Sequence, residues 1–170
     1  MSRARSLTVA HSDGEQAPSV QLIDARAIEV PDEEALREYA RRLSADAGAP
    51  SASRSYCFPF ALIASHTAAV GVDIERVERC DRAFADSIRT PAELAAGWPR
   101  EGDPDRFFTS LWSSKEALSK ALGDALAYDP RQLEGPGSWP DGSSGPWRAS
   151  SLDVGEGGHV AWLCWRAEDS

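Results

Sequence analysis

The chain has 170 residues, 42% hydrophobic and 26% charged, which suits a folded domain with one good core or two small subdomains sharing one. Lys+Arg 18 against Asp+Glu 27 gives a formal net charge of -9, which argues against a general role on nucleic acid or on anionic membrane surfaces. An acidic chain that handles an anion needs a cation to mediate, and no run approaches the roughly 20 apolar residues of a membrane helix.

In chain order, residues 6–10 and 19–30 (SVQLIDARAIEV) alternate as strands, with the polar HSDGEQAP as their connection. The early apolar run LTVA is too short for a signal-peptide core. Cys57, Cys80 and Cys164 are odd in number, widely spaced and set in or beside apolar runs. They read as buried thiols in a reducing compartment, and the expected location is cytoplasmic. PDEEALREYARRLSADAG is a helix: Pro31 and Asp32 start it, acids fill its first turn, arginines its last, and Gly48 stops it. APSASRS reads as a loop, and YCFPFALIAS as one strand whose Pro59 places it at an edge or bulge. A turn at SHT, with His66 solvated, then makes a hairpin with AVGVDIERVERC.

That last strand puts Val70, Val72 and Ile74 on one face and Gly71, Asp73 and Glu75 on the other. An antiparallel sheet wetted on one side accounts for the pattern without any chemistry. CDRAFADSIRTPAELAAGW is a helix broken and restarted at Thr90 and Pro91. The strongest helix is DPDRFFTSLWSSKEALSKALGDALAYD, with Asp103 or Asp105 near its start and Gly123 near its end. Phe107, Leu111, Leu118 and Leu122 form its expected buried stripe. Residues 129–147 are rich in Gly, Pro and Ser and read as a long loop; RASSLDV and HVAWLCWRA then flank GEGG as a second hairpin. The order implies an α+β fold with helices packed on mainly antiparallel sheets.

Trp112, Glu116 and Lys120 follow at i, i+4, i+8 and share one helix face, with Lys115 on a neighbouring one. A Glu-Lys pair at that spacing is commonly only a surface pair. If Glu116 meets Asp73 and Glu75, however, three carboxylates surround one point, the oxygen chemistry that magnesium prefers. His11, His66 and His159 are scattered and give zinc no support, and no glycine-rich nucleotide cradle or nucleophile elbow is present.

Together VGVDIERV and FFTSLWSSKEALSKALG resemble the two motifs of the phosphopantetheinyl transferase superfamily, G-(V/I)-D-(I/L)-E on a strand and W-x-x-K-E-A-x-x-K on a helix. The resemblance covers residues 56–123. It implies two unequal, pseudo-related halves within a single domain 1–170: a reduced first half, 1–67, and a second half, 68–170, carrying both motifs. The implied activity is magnesium-dependent transfer of the 4′-phosphopantetheine arm of coenzyme A to a serine of an acyl or peptidyl carrier protein, in a polyketide, peptide or fatty-acid pathway. By position, Asp73, Glu75 and Glu116 hold magnesium against the diphosphate, and Lys120 neutralises the attacked phosphate. Glu116 or a water on the metal takes the serine proton, and Lys115 contacts the nucleotide's phosphates. Ser53, Arg54 and Ser55 stand where larger members carry Ser-His-Ser, which assigns Arg54 and Ser55 to the cofactor side. The family's Gly-Lys-Pro stretch has no counterpart in SADAGAP, and Asp124 stands where small or basic residues are usual. A homodimer is one remedy for the missing nucleotide wall. The alternative is a related scaffold that has lost coenzyme A transfer and serves as a binding partner, or performs another reaction, in such a pathway.

Overall fold

The computed structural model describes residues 4–9, 16–124 and 127–168. Ala10 and the first five residues of the HSDGEQAP connection, His11 among them, lie outside the described residues, as do Ala125 and Leu126. Strands β1 (Arg5–Leu7), β2 (Ser19–Asp24), β3 (Ser51–Cys57) and β4 (Phe60–His66) form one antiparallel sheet in the order β1-β2-β4-β3. Strands β5 (Val70–Arg76), β6 (Ser143–Ser144), β7 (Trp147–Ser151) and β8 (His159–Arg166) form a second, in the order β5-β8-β7-β6. Helices α1 (Glu33–Asp46), α2 (Arg82–Ser87), α3 (Pro91–Ala95) and α4 (Pro104–Leu122) complete the α+β arrangement. No described helix is long and apolar enough to cross a membrane.

The two sheets face each other. Val20 and Leu22 of β2 and Phe60, Leu62 and Ala64 of β4 meet Val72 and Ile74 of β5 and Leu163 and Trp165 of β8. Each fully buried Leu, Ile or Phe in such a core contributes roughly 1.5–3 kcal/mol. The opposite face of β4, Ala61 and Ile63, packs with Ile23 under Leu36 and Ala40 of α1. Burial on both faces is why FALI is apolar throughout instead of alternating. Helix α1 begins where its sequence says: the Asp32 carboxylate accepts from Ala35 N at 2.9 Å, and Glu33 and Glu34 occupy the positive end of the helix dipole. Thr90 caps α3 in a reciprocal box with Glu93, so the expected break before Pro91 is present.

Several sequence expectations are corrected. The APSASRS segment is mostly strand, because Ser51–Cys57 pairs along β4. Its serines conceal it: Ser53 Oγ and Ser55 Oγ accept from Val72 N (3.1 Å) and Ile74 N (3.2 Å), so this strand satisfies the free edge of β5 with hydroxyls where an ordinary strand presents apolar side chains. YCFPFALIAS is two strands, turned at the cis Phe58–Pro59 peptide. β4 and β5 make no hairpin, since β5 pairs with β8 (Asp73 opposite Trp162) in the other sheet. The strand expected over 19–30 stops at Asp24, whose carboxylate accepts from Arg26 N and caps a 3-10 turn, Ala25–Ile28. His66 is buried at the end of β4, with its Nε2 3.3 Å from Arg166 O. Of the three free cysteines, Cys164 is buried and Cys57 and Cys80 are half-buried. The Gly/Pro/Ser segment folds into three 3-10 turns and β6, with Gly135 and Pro136 buried.

Candidate functional site

The site is set by how closely α4 lies on β5. A Cβ added at Gly71 would stand 2.0 Å from Ala117 O and 2.6 Å from Ala121 N, so only glycine admits the helix backbone at this distance. The buried face of α4 is accordingly small: Ser113, Ser114, Ala117 and Ala121, with Leu118 and Phe108. This corrects the expected stripe, of which Leu118 is buried and Leu111 half-buried while Phe107 and Leu122 are 49% and 41% exposed. The Gly71 contact aligns the acidic face of β5 with the Trp112, Glu116, Lys120 row.

Lys120 Nζ donates to Asp73 Oδ1 at 2.7 Å and to Val72 O at 3.1 Å. Ser55 Oγ also donates to Asp73 Oδ1, at 3.0 Å. Asp73 is 3% exposed, and its second oxygen, Oδ2, is buried without a partner. Trp112 Nε1 donates to Glu75 Oε1 at 3.3 Å, and Tyr128 OH donates to Glu116 Oε1 at 2.7 Å. Trp112 and Tyr128 stack at a tilt of 30°, their centroids 6.5 Å apart.

The acids are held at an electrostatic disadvantage. Burial first, then the charge of Asp73, pushes Glu75 up to about 7, against the opposing Trp112 bond and Lys120. Burial also raises Glu116, with Asp73 adding to the rise and the Tyr128 bond and Lys120 opposing it. Burial and the Glu116 carboxylate raise Tyr128, which stays a neutral donor. Two carboxyls raised by burial and by the charge of Asp73, beside an orphaned buried oxygen, mark a place suited to added positive charge.

A hard divalent cation fits this donor chemistry. Among the described residues no group of three or more His, Cys, Asp or Glu is placed so that it could hold a metal ion. What the site offers is the chemistry of an ion such as magnesium, which needs only one or two carboxylate oxygens and fills its shell with water and substrate phosphate.

Of the residues singled out by sequence, Lys120 and Ser55 contact Asp73, and Glu75 and Glu116 lie near enough to feel its charge. Two are not brought to this group. Arg54 projects from the opposite face of β3 to Ser55 and donates to Ser44 Oγ of α1 at 3.3 Å. Lys115 is fully buried, with its ammonium bonded to Ile88 O, Glu93 Oε2 and Pro130 O. Sequence reasoning missed Tyr128, which lies past the end of α4 where no periodicity marks it. An apolar cavity of about 640 Å³ lined by Trp98, Phe107, Leu111 and Trp162 opens on the other flank of α4, away from the acids.

A family model described as the 4′-phosphopantetheinyl transferase superfamily matches residues 69–156, just over half of the 170-residue chain. Comparison with curated proteins found no match. The matched span contains both β5 and α4, and the chain belongs to this superfamily, whose chemistry is phosphopantetheine transfer from coenzyme A to carrier proteins.

Proposed function

We propose that this member of the 4′-phosphopantetheinyl transferase superfamily moves the 4′-phosphopantetheine group of coenzyme A onto a serine of an acyl or peptidyl carrier protein, at the site formed by Asp73, Glu75, Glu116 and Lys120. The observation that carries the reading is the buried Asp73 carboxylate, one oxygen held by Lys120 and Ser55 and the other free, beside two carboxyls raised by burial and by its charge.

Asp73, Glu75 and Glu116 are the residues that would hold magnesium, which when bound supplies positive charge to the coenzyme A diphosphate. Lys120 turns its ammonium from Asp73 toward the phosphate under attack and neutralises charge there. Glu116, with Oε1 held by Tyr128, accepts the proton of the carrier serine, and its raised affinity for protons suits a general base. Ser55 and Trp112 orient Asp73 and Glu75. The sheet boundary between His66 and Val70 supports a division into a reduced first half, 1–67, and a second half, 68–170, that carries the chemistry.

The test is incubation with coenzyme A, magnesium and several apo carrier proteins, read by intact mass. Transfer adds one phosphopantetheine to a carrier; a folded protein that modifies none of them contradicts the proposal. A second reading is supported by the positions of Arg54 and Lys115, which leave Lys120 as the one predicted phosphate-binding cation that reaches the acids. In that reading the chain is a non-transferring scaffold for a carrier-protein pathway. Absence of coenzyme A binding in a calorimetric titration favours it, and micromolar binding excludes it.

A further inference from the structure

Lys115 is 0% exposed, although a buried ammonium is costly unless every proton is matched. Here each one is: Nζ donates to Ile88 O at 2.6 Å, Glu93 Oε2 at 2.6 Å and Pro130 O at 2.9 Å. These acceptors come from three separate places: the end of α2, the first turn of α3 and the segment that follows α4. Glu93 extends the connection, its Oε1 accepting from Gly135 N at 2.8 Å. Gly135 itself lies so near α4 that a Cβ would stand 2.3 Å from Leu111 Cδ1. Residues 130–135 are thus pinned at both ends to the flank of α4.

Tyr128 stands two residues before the first of these pins. Consecutive Cα atoms are about 3.8 Å apart, so its backbone stays within about 7 Å of Pro130. From there its hydroxyl reaches Glu116 Oε1 at 2.7 Å, on the residue adjacent to Lys115. The ammonium and the carboxylate point a third of a turn apart on the helix, and the segment 128–130 closes the ring between them.

We propose that Lys115 is a positioning residue for Glu116: by fixing Pro130 it holds the Tyr128 hydroxyl on one carboxylate oxygen and leaves the other facing the reacting groups. This deepens the transferase reading and rests on it for the activity readout. It replaces the phosphate contact implied by the family resemblance, which needs an accessible ammonium.

The test uses Lys115→Met, Tyr128→Phe and their combination in the full chain. A second variant, Lys115→Met with Glu93→Gln, removes both buried charges and serves if the single change prevents folding. The tether predicts that backbone amides of residues 128–135 exchange with deuterium about tenfold faster in either Lys115 variant. It also predicts that kcat falls about tenfold or more while KM for coenzyme A stays within about twofold, and that Tyr128→Phe gives the same fall with nothing added by combining the two. Unchanged exchange, additive losses, or a raised KM for coenzyme A with kcat preserved each overturns the proposal. If the wild-type chain modifies no carrier, the transferase reading fails and the exchange measurement alone judges the tether.

Discussion

Two clusters of buried charge lie on neighbouring flanks of α4, and they are completed to different degrees. Around Lys115 all three protons have acceptors, and Glu93 takes bonds from Lys115, Thr90 N and Gly135 N. Burial pushes the Glu93 carboxyl upward, yet these bonds overcome it and hold the group below its ordinary value. Around Asp73 the account does not close: Oδ2 has no partner, and Glu75 and Glu116 are both pushed upward. A saturated cluster fastens chain segments, whereas an unsaturated one retains the capacity to bind. The same helix, within six residues, serves both purposes.

The sharpest way to break this contrast is to remove charge from each cluster. Glu116→Ala and Asp73→Ala should each lower transfer by about 10²–10⁴-fold, the range for loss of a positioned acid-base group, with thermal unfolding little changed in Glu116→Ala but lowered in Asp73→Ala, which takes from Lys120 and Ser55 their shared buried acceptor. Initial rates by intact mass, beside a calorimetric scan, check both halves of that statement. Lys115→Met should cost about 3–5 kcal/mol by stranding the Glu93 carboxylate in the interior. Denaturant unfolding measures it, and a cost near zero would mean that the cluster is not closed.

Gly71→Ala probes the contact that brings both clusters onto the sheet. Its methyl would overlap backbone atoms of α4 at 2.0 Å and 2.6 Å, and overpacking of this kind costs about 1–3 kcal/mol. Displacement of Glu116 and Lys120 from Asp73 should reduce transfer by about 10²-fold even where the protein folds. A variant with wild-type rate and stability would show that the helix does not depend on glycine for its seat.

The smallest effect is a slope. Glu75 has its pKa raised from 4.5 to about 7, so between those values the folded protein keeps a proton that the unfolded chain has released. Stability of the metal-free protein therefore falls as pH rises through that window, and the loss is fully present above pH 7. Glu75→Gln should flatten the profile in urea titrations at pH 5 to 8. Magnesium binding, which competes with the same proton, should strengthen as pH rises across the window and release protons to the buffer.

How much of this was legible in the sequence follows from what each residue has to do. Asp73 and Glu75 stand out by strand alternation, and Trp112, Glu116 and Lys120 by helical spacing, because those periods describe faces. Strand β3 escaped because Ser53 and Ser55 serve the backbone of β5, and a hydroxyl-bearing strand has a loop's composition. The buried face of α4 escaped because closeness to Gly71 selects for size, and Ser113, Ser114 and Ala117 carry little hydrophobic signal. Lys115 stands on the helix face next to that of Glu116, where the resemblance implies a phosphate contact; its partner Glu93 lies 22 positions earlier, a pairing that no local pattern encodes. Tyr128 follows the left-handed cap at Gly123, beyond the reach of helical spacing.

The most direct test is calorimetric titration of coenzyme A into the wild-type chain and into Asp73→Asn, each with and without magnesium. Binding heat that requires magnesium and vanishes in Asp73→Asn, while thermal unfolding is preserved, is the predicted result. Equal heats from both proteins, or heats indifferent to the ion, would contradict the claim that the acids of β5 and α4 form the cofactor site.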